Sequence, residues 1–486
     1  MVGNKRVRRA ERAGPSRRSV LIGAALSTAT LLMPLHRTSA AASPAAQYHL
    51  RAAPGRVALL GNGRPDTEVW CYGGVVPGPE LRVRQGARFQ IEVENGLSQE
   101  TTVHWHGIRL PNAMDGVPNL TQAAIPPGGT FEYAFDLPDA GTYWYHPHAR
   151  SFEQVGRGLY GALIVEENEP PPVDRDLCWV LGDWRLRDEA RISEDFGNGH
   201  DASHDGRVGN TVTVNGRVAP AIQVRAGERL RLRLINAANA RIFALAFGQH
   251  RPWIIALDGH PVEPHEPDQG LVVMGPGQRT DLIVDMGGEP GAKFAVTDRF
   301  YKSLDYDLLQ IVYGERNPLR SRSPEAVIGL PPNHLPEPIS DGATRHELVF
   351  GGGMMGRMAG ATMDGQPTTM RDMMKRGMAW TINGNVISGH DHAPLFTLRK
   401  NSTCILTLRN QTAWYHPIHL HGHVFRVLTR NDAAASRREW RDTVLIAPEE
   451  TVEIGFVADN PGDWMLHCHI LEHQAAGMMA VIRVAS

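Results

Sequence analysis

Three times along the chain an apolar–polar alternation runs into a tight turn and out again. Pro79-Glu80-Leu81-Arg82-Val83-Arg84-Gln85-Gly86-Ala87-Arg88-Phe89-Gln90-Ile91-Glu92-Val93 is the first copy and Ala221-Ile222-Gln223-Val224-Arg225-Ala226-Gly227-Glu228-Arg229-Leu230-Arg231-Leu232-Arg233-Leu234 the second. Leu395 to Arg399, leading to Cys404-Ile405-Leu406-Thr407-Leu408, is the third. A period of two around a glycine turn predicts a half-buried strand pair. The copies lie about 140 to 175 residues apart, which is domain spacing and not solenoid spacing. A second element repeats in step: Ile125-Pro126-Pro127-Gly128-Gly129-Thr130, Met274-Gly275-Pro276-Gly277-Gln278-Arg279-Thr280 and Ile446-Ala447-Pro448-Glu449-Glu450-Thr451 each precede a strand-like run. With 50 Gly and 34 Pro to supply turns, the expectation is three β-sandwich domains. Pro-rich stretches at 170–172 and 331–338 read as linkers.

The outer two copies end in histidines and the middle one does not. His146-Pro147-His148 closes the first and His467-Cys468-His469 the last, where the middle copy has Thr297-Asp298. His104-Trp105-His106-Gly107 and His416-Pro417-Ile418-His419-Leu420-His421-Gly422-His423 add two more clusters. One His-X-His in a strand is often a hydrogen-bonded pair, but four at homologous ends of repeated domains point to metal. Imidazole, the Cys468 thiolate and the Met478 thioether form the ligand set of a blue-copper site. Alternate residues of a strand share a face, so His467 and His469 look into one site and Cys468 into another. Ten histidines with Cys468 and Met478 exceed what one ion can hold, and Cα atoms about 6.7 Å apart let each pair bridge neighbouring ions. A multinuclear cluster is the economical reading.

The four motifs, their order and the threefold repeat resemble the multicopper oxidase family, over essentially the whole chain beyond the first 42 residues. The resemblance implies an all-β fold of three cupredoxin-like Greek-key β-sandwich domains, at 43–170, 171–330 and 331–486. It implies four copper ions. His416, Cys468 and His473 with axial Met478 would hold the type 1 copper, and His104 with His419 the type 2. His106, His146 and His469 would hold one type 3 copper, and His148, His421 and His467 the other. Substrate would give up electrons at the type 1 site, and Cys468 would pass them to the cluster, where dioxygen becomes water. Compared with the noncoordinating Leu or Phe of some members, Met478 implies a lower potential. Asp115, in Met114-Asp115-Gly116-Val117-Pro118, matches a family position proposed to supply protons, although Asp-Gly also makes an ordinary turn. Where some relatives carry an acid after the last histidine this chain has Gln474, with Glu472 nearby.

The first 42 residues read as an export signal. Eight Lys or Arg against Glu11, with Arg17-Arg18 before an apolar run to about Met33 and the small residues Ser39-Ala40-Ala41-Ala42, resemble a twin-arginine signal. That run is shorter than the roughly 20 residues that span a bilayer. The expectation is a periplasmic or otherwise exported protein, with the twin-arginine machinery as a partner and no stable membrane anchor. Beyond residue 42 the chain has 42 basic and 51 acidic residues, a net charge of −9, which argues against nucleic acid as a partner. Cys404 reads as a core residue, and an oxidising compartment would allow a Cys71–Cys178 bridge.

Eight of the 16 methionines fall between 354 and 378, at 354, 355, 358, 363, 370, 373, 374 and 378. Thioethers are soft ligands that select Cu(I), and Met also fills irregular gaps in packing. The segment resembles the methionine-rich insert of periplasmic cuprous oxidases, with Met370, Asp372, Met373 and Met374 matching its Asp-Met-Met element. Asp442 matches a second carboxylate near the type 1 histidine in that group. His390 and His392 are further candidates. The expected substrate is therefore Cu(I), with a small aromatic reductant (phenol or aromatic amine) as the alternative. Soft methionines argue against Fe(II) or Mn(II), and a complete ligand set argues against a non-enzymatic copper-binding role.

Overall fold

The computed structural model describes residues 46–320, 326–327, 329–356, 360–387 and 393–486. The expected export signal, Met358, His390 and His392 lie outside the described residues. Strands dominate, and they form three pairs of sheets built on one plan. In the first pair, Thr67–Tyr72, Ala46–Val57, Arg88–Asn95 and Thr130–Asp136 face Gly78–Arg84, Gly161–Glu166, Gly141–His146 and His104–His106. Each sheet contains one parallel pair among antiparallel ones, and the parallel pairs recur in step. Ala46–Val57 with Arg88–Asn95 corresponds to Arg175–Trp184 with Arg229–Asn236 and to Thr344–Gly352 with Thr403–Asn410. Gly78–Arg84 with Gly161–Glu166 corresponds to Ala221–Val224 with Tyr306–Tyr313 and to Pro394–Leu398 with Met479–Val484.

The repeated alternation corrects one expectation. Its two strands do not pair with each other: in every copy the strand before the turn lies in one sheet and the strand after it in the other. The turn is a corner that carries the chain across the sandwich. It is closed by Ala87 N–H to Arg84 O, Glu228 N–H to Arg225 O and Ser402 N–H to Arg399 O, at 3.1, 3.1 and 3.0 Å. A left-handed residue sits third in each turn, Gly86, Gly227 and Asn401, with φ of 81°, 79° and 62°. Alternation reports which side chains share a face but not which strand lies alongside.

The second copy departs further. Every residue of Arg229–Asn236 is buried. Leu230, Leu232 and Leu234 enter the core, while Arg231 and Arg233 turn into a buried seam against the first sandwich. There Arg231 binds Glu167 and Asp281, and Arg233 binds Asp176 and the Thr142 hydroxyl. Buried guanidinium groups survive because each meets carboxylates in fork geometry.

All four cysteines are free, so the Cys71–Cys178 bridge is not made; Cys71 and Cys404 are core residues. Among the described residues no helix is long and apolar enough to cross a membrane. The methionine-rich segment forms a short hairpin, Thr362–Met363 with Gln366–Pro367, and the six-residue helix Met370–Lys375.

Candidate metal centres

The histidine strands meet because their registers align. His104 lies opposite His146 in one sheet, and His419 lies opposite His467 in another. Eight rings, His104, His106, His146, His148, His419, His421, His467 and His469, are buried and gathered into one pocket between the first and third sandwiches. His148, His421 and His467 bring nitrogens within 4.8 Å of one another, as do His104, His106 and His146. The His469 ring lies 4.9 Å from His106 and 5.2 Å from His146.

Main-chain and carboxylate acceptors orient these rings. Nδ1–H of His104 donates to the Asp115 carbonyl at 2.8 Å, that of His419 to the Asp442 carbonyl at 2.9 Å and that of His467 to the Cys468 carbonyl at 2.9 Å. His421 Nδ1–H donates to Asp115 Oδ2 at 2.8 Å. Since the protonated nitrogen is engaged, the other carries the lone pair and faces inward. His106 is turned the other way, with Nε2 on Asp442 Oδ1 at 3.2 Å and Nδ1 inward. Nε2 of His104, His146 and His419, Nδ1 of His106 and both nitrogens of His469 are buried without a hydrogen-bond partner. His421 Nε2 and His467 Nε2 face each other at 3.0 Å with no proton to share. Orphaned lone pairs this dense are unfavourable unless cations lie among them. Burial holds most of these imidazoles well below their ordinary pKa, in the neutral form a metal requires.

A second group lies on the far side of Cys468. Cys468 Sγ is 3.5 Å from His416 Nδ1 and 3.7 Å from His473 Nδ1, and the two nitrogens are 3.2 Å apart. His416 Nε2–H donates to the Thr412 hydroxyl at 2.8 Å and His473 Nε2–H to the His204 carbonyl at 2.7 Å, so both Nδ1 lone pairs converge on the sulfur. Met478 is fully buried in the same core and is tied in by its backbone to Cys468 and His473. Trp380 covers both rings, at 5.0 and 4.3 Å. Burial pushes the Cys468 thiol up, so the sulfur keeps its proton unless a cation beside it displaces that proton and stabilises the thiolate. His423 belongs to neither group; it packs between Phe456 and Trp464.

Two donor sets of this chemistry, one His2Cys with a buried Met and one of eight imidazoles, suit copper. Family models described as multicopper oxidase match residues 56–170, 175–313 and 362–486. The chain is a multicopper oxidase. The multicopper oxidase MmcO of Mycobacterium tuberculosis is 32% identical over 463 residues, covering 87% of this chain and 84% of the relative. The crystal structure of a multi-copper oxidase from Pseudomonas thermotolerans is similar with a TM-score of 0.79 at 34% identity, covering 91% of this chain and 99% of that one. A laccase-like multi-copper oxidase CueO from the lignin-degrading bacterium Ochrobactrum has a TM-score of 0.74 at 25% identity, with 91% and 99% covered. The oxidase therefore uses a type 1 copper and a trinuclear copper cluster and couples substrate oxidation to reduction of dioxygen.

Four residues of the oxidase that motif reading passed over hold these centres in place. Arg279, in the middle repeat that carries no histidine, grips Asp442 through both oxygens, with Nη1 to Oδ1 at 2.8 Å and Nη2 to Oδ2 at 2.5 Å. Gln278 beside it donates to the Thr443 carbonyl, and the Thr443 hydroxyl lies 3.1 Å from His106 Nε2. Thr412 is the fourth. The repeat itself was the available signal: Gly275 to Thr280 had to do something other than ligate.

Asp442 requires a correction. It is fully buried, its carboxylate is taken by Arg279, Thr443 and His106, and its carbonyl orients His419. It therefore belongs to the imidazole pocket and not to a substrate site; the group beside His416 is Thr412. Of the other substrate candidates, Met373 is fully buried and packs in the core. Asp372 pairs with Thr369 as the helix cap and with Lys375, 3.0 Å away. Met370 and Met374 are half-buried, and the Met374 methyl touches Gly199.

Asp115 is more than a turn residue, since it orients His104 and His421 from its carbonyl and its carboxylate. Gly116 makes this approach possible: its φ is 82°, and a Cβ there would lie 1.9 Å from the Val103 carbonyl oxygen. Gln474 takes a hydrogen bond from Ser151 at 3.1 Å and lies 3.5 Å from His148 Nδ1. Both line a cavity of about 310 Å³ that opens toward His148. Glu472 is buried and held by Asn239 and the Arg207 N–H.

Proposed function

We propose that the oxidase converts Cu(I) to Cu(II), in an exported, periplasmic setting where it limits copper toxicity. The observation that carries this reading is the attachment of the methionine-rich segment beside the electron-entry ring. Met354 N–H donates to the Ser203 carbonyl at 2.7 Å, one residue before the carbonyl that receives His473 Nε2–H. Met354 and Met355 are 44% and 75% exposed, so soft sulfur donors are offered to solvent there.

In this reading His416, Cys468, His473 and Met478 hold the type 1 copper and His104 with His419 the type 2. His106, His146 and His469 hold one type 3 copper, and His148, His421 and His467 the other. Bound copper supplies one-electron redox chemistry at the first centre and four-electron reduction of dioxygen at the second. The chain's own part is orientation. Carbonyls of Asp115, Asp442 and Cys468 fix the inward nitrogens, and the unbroken His467-Cys468-His469 backbone joins the two pockets. Asp115 Oδ2, held at His421 Nδ1, places an acid at the oxygen-reducing pocket for proton delivery, while Gln474 replaces an acid with a neutral hydrogen-bonding group. The cavity beside His148 gives water and dioxygen a route to that pocket.

A second reading has its own support. Trp414, Tyr415 and Phe300 form an aromatic surface near His204, and the Ochrobactrum relative has reported oxidase activity towards lignin model compounds. Oxygen uptake by the copper-loaded protein separates the two. Cu(I) is expected to drive faster uptake than a phenol at equal concentration; uptake with phenol alone would end the cuprous assignment.

A further inference from the structure

The short helix Gly199–Ser203 belongs to the middle sandwich, which contributes none of the resident copper ligands, yet it ends on the type 1 centre. His204 closes it, and the His204 main-chain carbonyl accepts the His473 Nε2–H at 2.7 Å. The His204 ring points elsewhere. It stacks on His200, one helical turn earlier, with centroids 4.1 Å apart and planes inclined by 7°. His204 Nδ1–H donates to the His200 carbonyl at 3.0 Å, and a carbonyl can only accept, so the lone pair of the neutral ring sits on Nε2. Among the described residues that Nε2 has no partner, and the His200 side chain is 72% exposed.

Two methionines are anchored beside this pair. Met354 is pinned to Ser203 by its N–H, and its carbonyl accepts from Trp414 Nε1 at 2.9 Å; the Trp414 ring lies edge-on to His204 at 5.5 Å. Met374 lays its methyl on Gly199, adjacent to His200. Two imidazoles one turn apart on a helix, with two methionines anchored beside that helix, are donor types that suit a soft monovalent metal ion.

We propose that His200 and His204, assisted by Met354 and Met374, form the docking site for substrate Cu(I), and that its electron enters through the His204 carbonyl and the hydrogen bond to His473. This rests on the cuprous reading above and deepens it. Each docked Cu(I) loses one electron and departs as Cu(II); four such electrons with four protons turn one dioxygen into two waters, as the oxidase reaction requires. Docking and wiring are carried by different parts of one residue. The ring binds while the backbone conducts, so removing the ring leaves the wire in place.

That separation makes the test clean. In the copper-loaded enzyme, Ag(I) serves as a redox-inert stand-in for Cu(I), and its binding is followed by calorimetry. The wild type is expected to bind one Ag(I) beyond the resident coppers and to be competitively inhibited by it in Cu(I) oxidation. The double variant His200→Ala/His204→Ala is expected to lose that Ag(I) and to raise the KM for Cu(I) by roughly tenfold or more. The blue band should survive, since the His204 carbonyl remains, and the loss should be larger for Cu(I) than for a phenol. An unchanged Ag(I) stoichiometry with unchanged KM overturns the site, as does an equal loss for both donors. If the wild type shows no Cu(I)-dependent oxygen uptake, the cuprous reading fails, and the Ag(I) titration still reports on whether the site binds a soft ion.

Discussion

The two metal pockets share a backbone segment but are held in opposite ways. Around His416, Cys468 and His473 the orienting partners among the described residues are uncharged: the Thr412 hydroxyl, the His204 carbonyl, the Ile470 N–H and the face of Trp380. Around the eight clustered histidines main-chain carbonyls are joined by charged groups from three sandwiches: Asp115 of the first holds His421, Asp442 of the third holds His106, and Arg279 of the second grips Asp442. An electron-transfer pocket needs rings that stay put while charge passes through, and neutral neighbours respond least to a change of charge. A pocket that gathers several cations and reduces dioxygen needs negative charge fixed close by, and fixed charge in a buried site must itself be countered. The middle domain supplies that counter-charge at Arg279.

The sharpest way to break this contrast is at Arg279. Arg279→Ala strips both hydrogen bonds from a fully buried carboxylate, a loss of about 3–5 kcal/mol for a broken buried pair. The expected outcome is depletion of cluster copper and of oxygen reduction while the blue band is retained, measured by metal analysis alongside absorbance. Arg279→Lys should rescue only in part, because an ammonium cannot bind both oxygens in a fork. Parallel loss of both copper types would show that the two pockets are not separately supported.

Asp115→Asn comes next. The side-chain amide oxygen can still accept from His421 Nδ1, so the ring should stay oriented while the acid is lost. Oxygen reduction by fully reduced enzyme should slow by about 10²–10⁴-fold if the carboxylate delivers protons, with copper content near wild type. A variant with full copper and an unchanged rate would leave Asp115 as an orienting residue only.

A milder change tests the neutral side. Thr412→Val removes the acceptor for the buried His416 Nε2–H at nearly constant volume, a cost of about 1–3 kcal/mol. The type 1 potential and blue band should shift while cluster copper is unaffected. Loss of cluster copper would erase the distinction drawn between the two surroundings.

How much of this was legible in the chain follows from what each pattern encodes. Ligand types and spacing are local, so His104, His106, His146, His148, His416, Cys468 and their partners announced two centres, and the repeats announced three sandwiches. Pairing is nonlocal: alternation in Ala221 to Leu234 could not say that Arg231 and Arg233 would be buried in a seam between sandwiches. Asp442 was misplaced for the same reason, because its neighbours Arg279 and His106 are 163 and 336 residues away in sequence. Met373 shows the limit of composition, since a thioether that could bind metal and one that fills a core look alike until burial is known.

The smallest effect is expected at the seam. Burial works to raise the pKa of Glu167 and Asp176, but hydrogen bonds and charge from Arg231 and Arg233 outweigh it, and both carboxyl groups end below their ordinary values. A carboxylate with a depressed folded pKa stabilises the fold above its unfolded pKa of about 4, and that contribution is lost as pH falls through the lower folded value. Thermal stability should therefore decline on acidification below about pH 4. Because Thr142 links the seam to Arg279, through its hydroxyl to Arg233 and its carbonyl to Arg279 Nε, acid should loosen the charged pocket before the neutral one. Glu167→Gln should lower stability at neutral pH and flatten the acid limb, with cluster copper released at higher pH than the blue band fades. If both signals fade together at one pH in wild type and variant alike, the seam has no privileged connection to the cluster, and Arg279 alone carries the difference between the pockets.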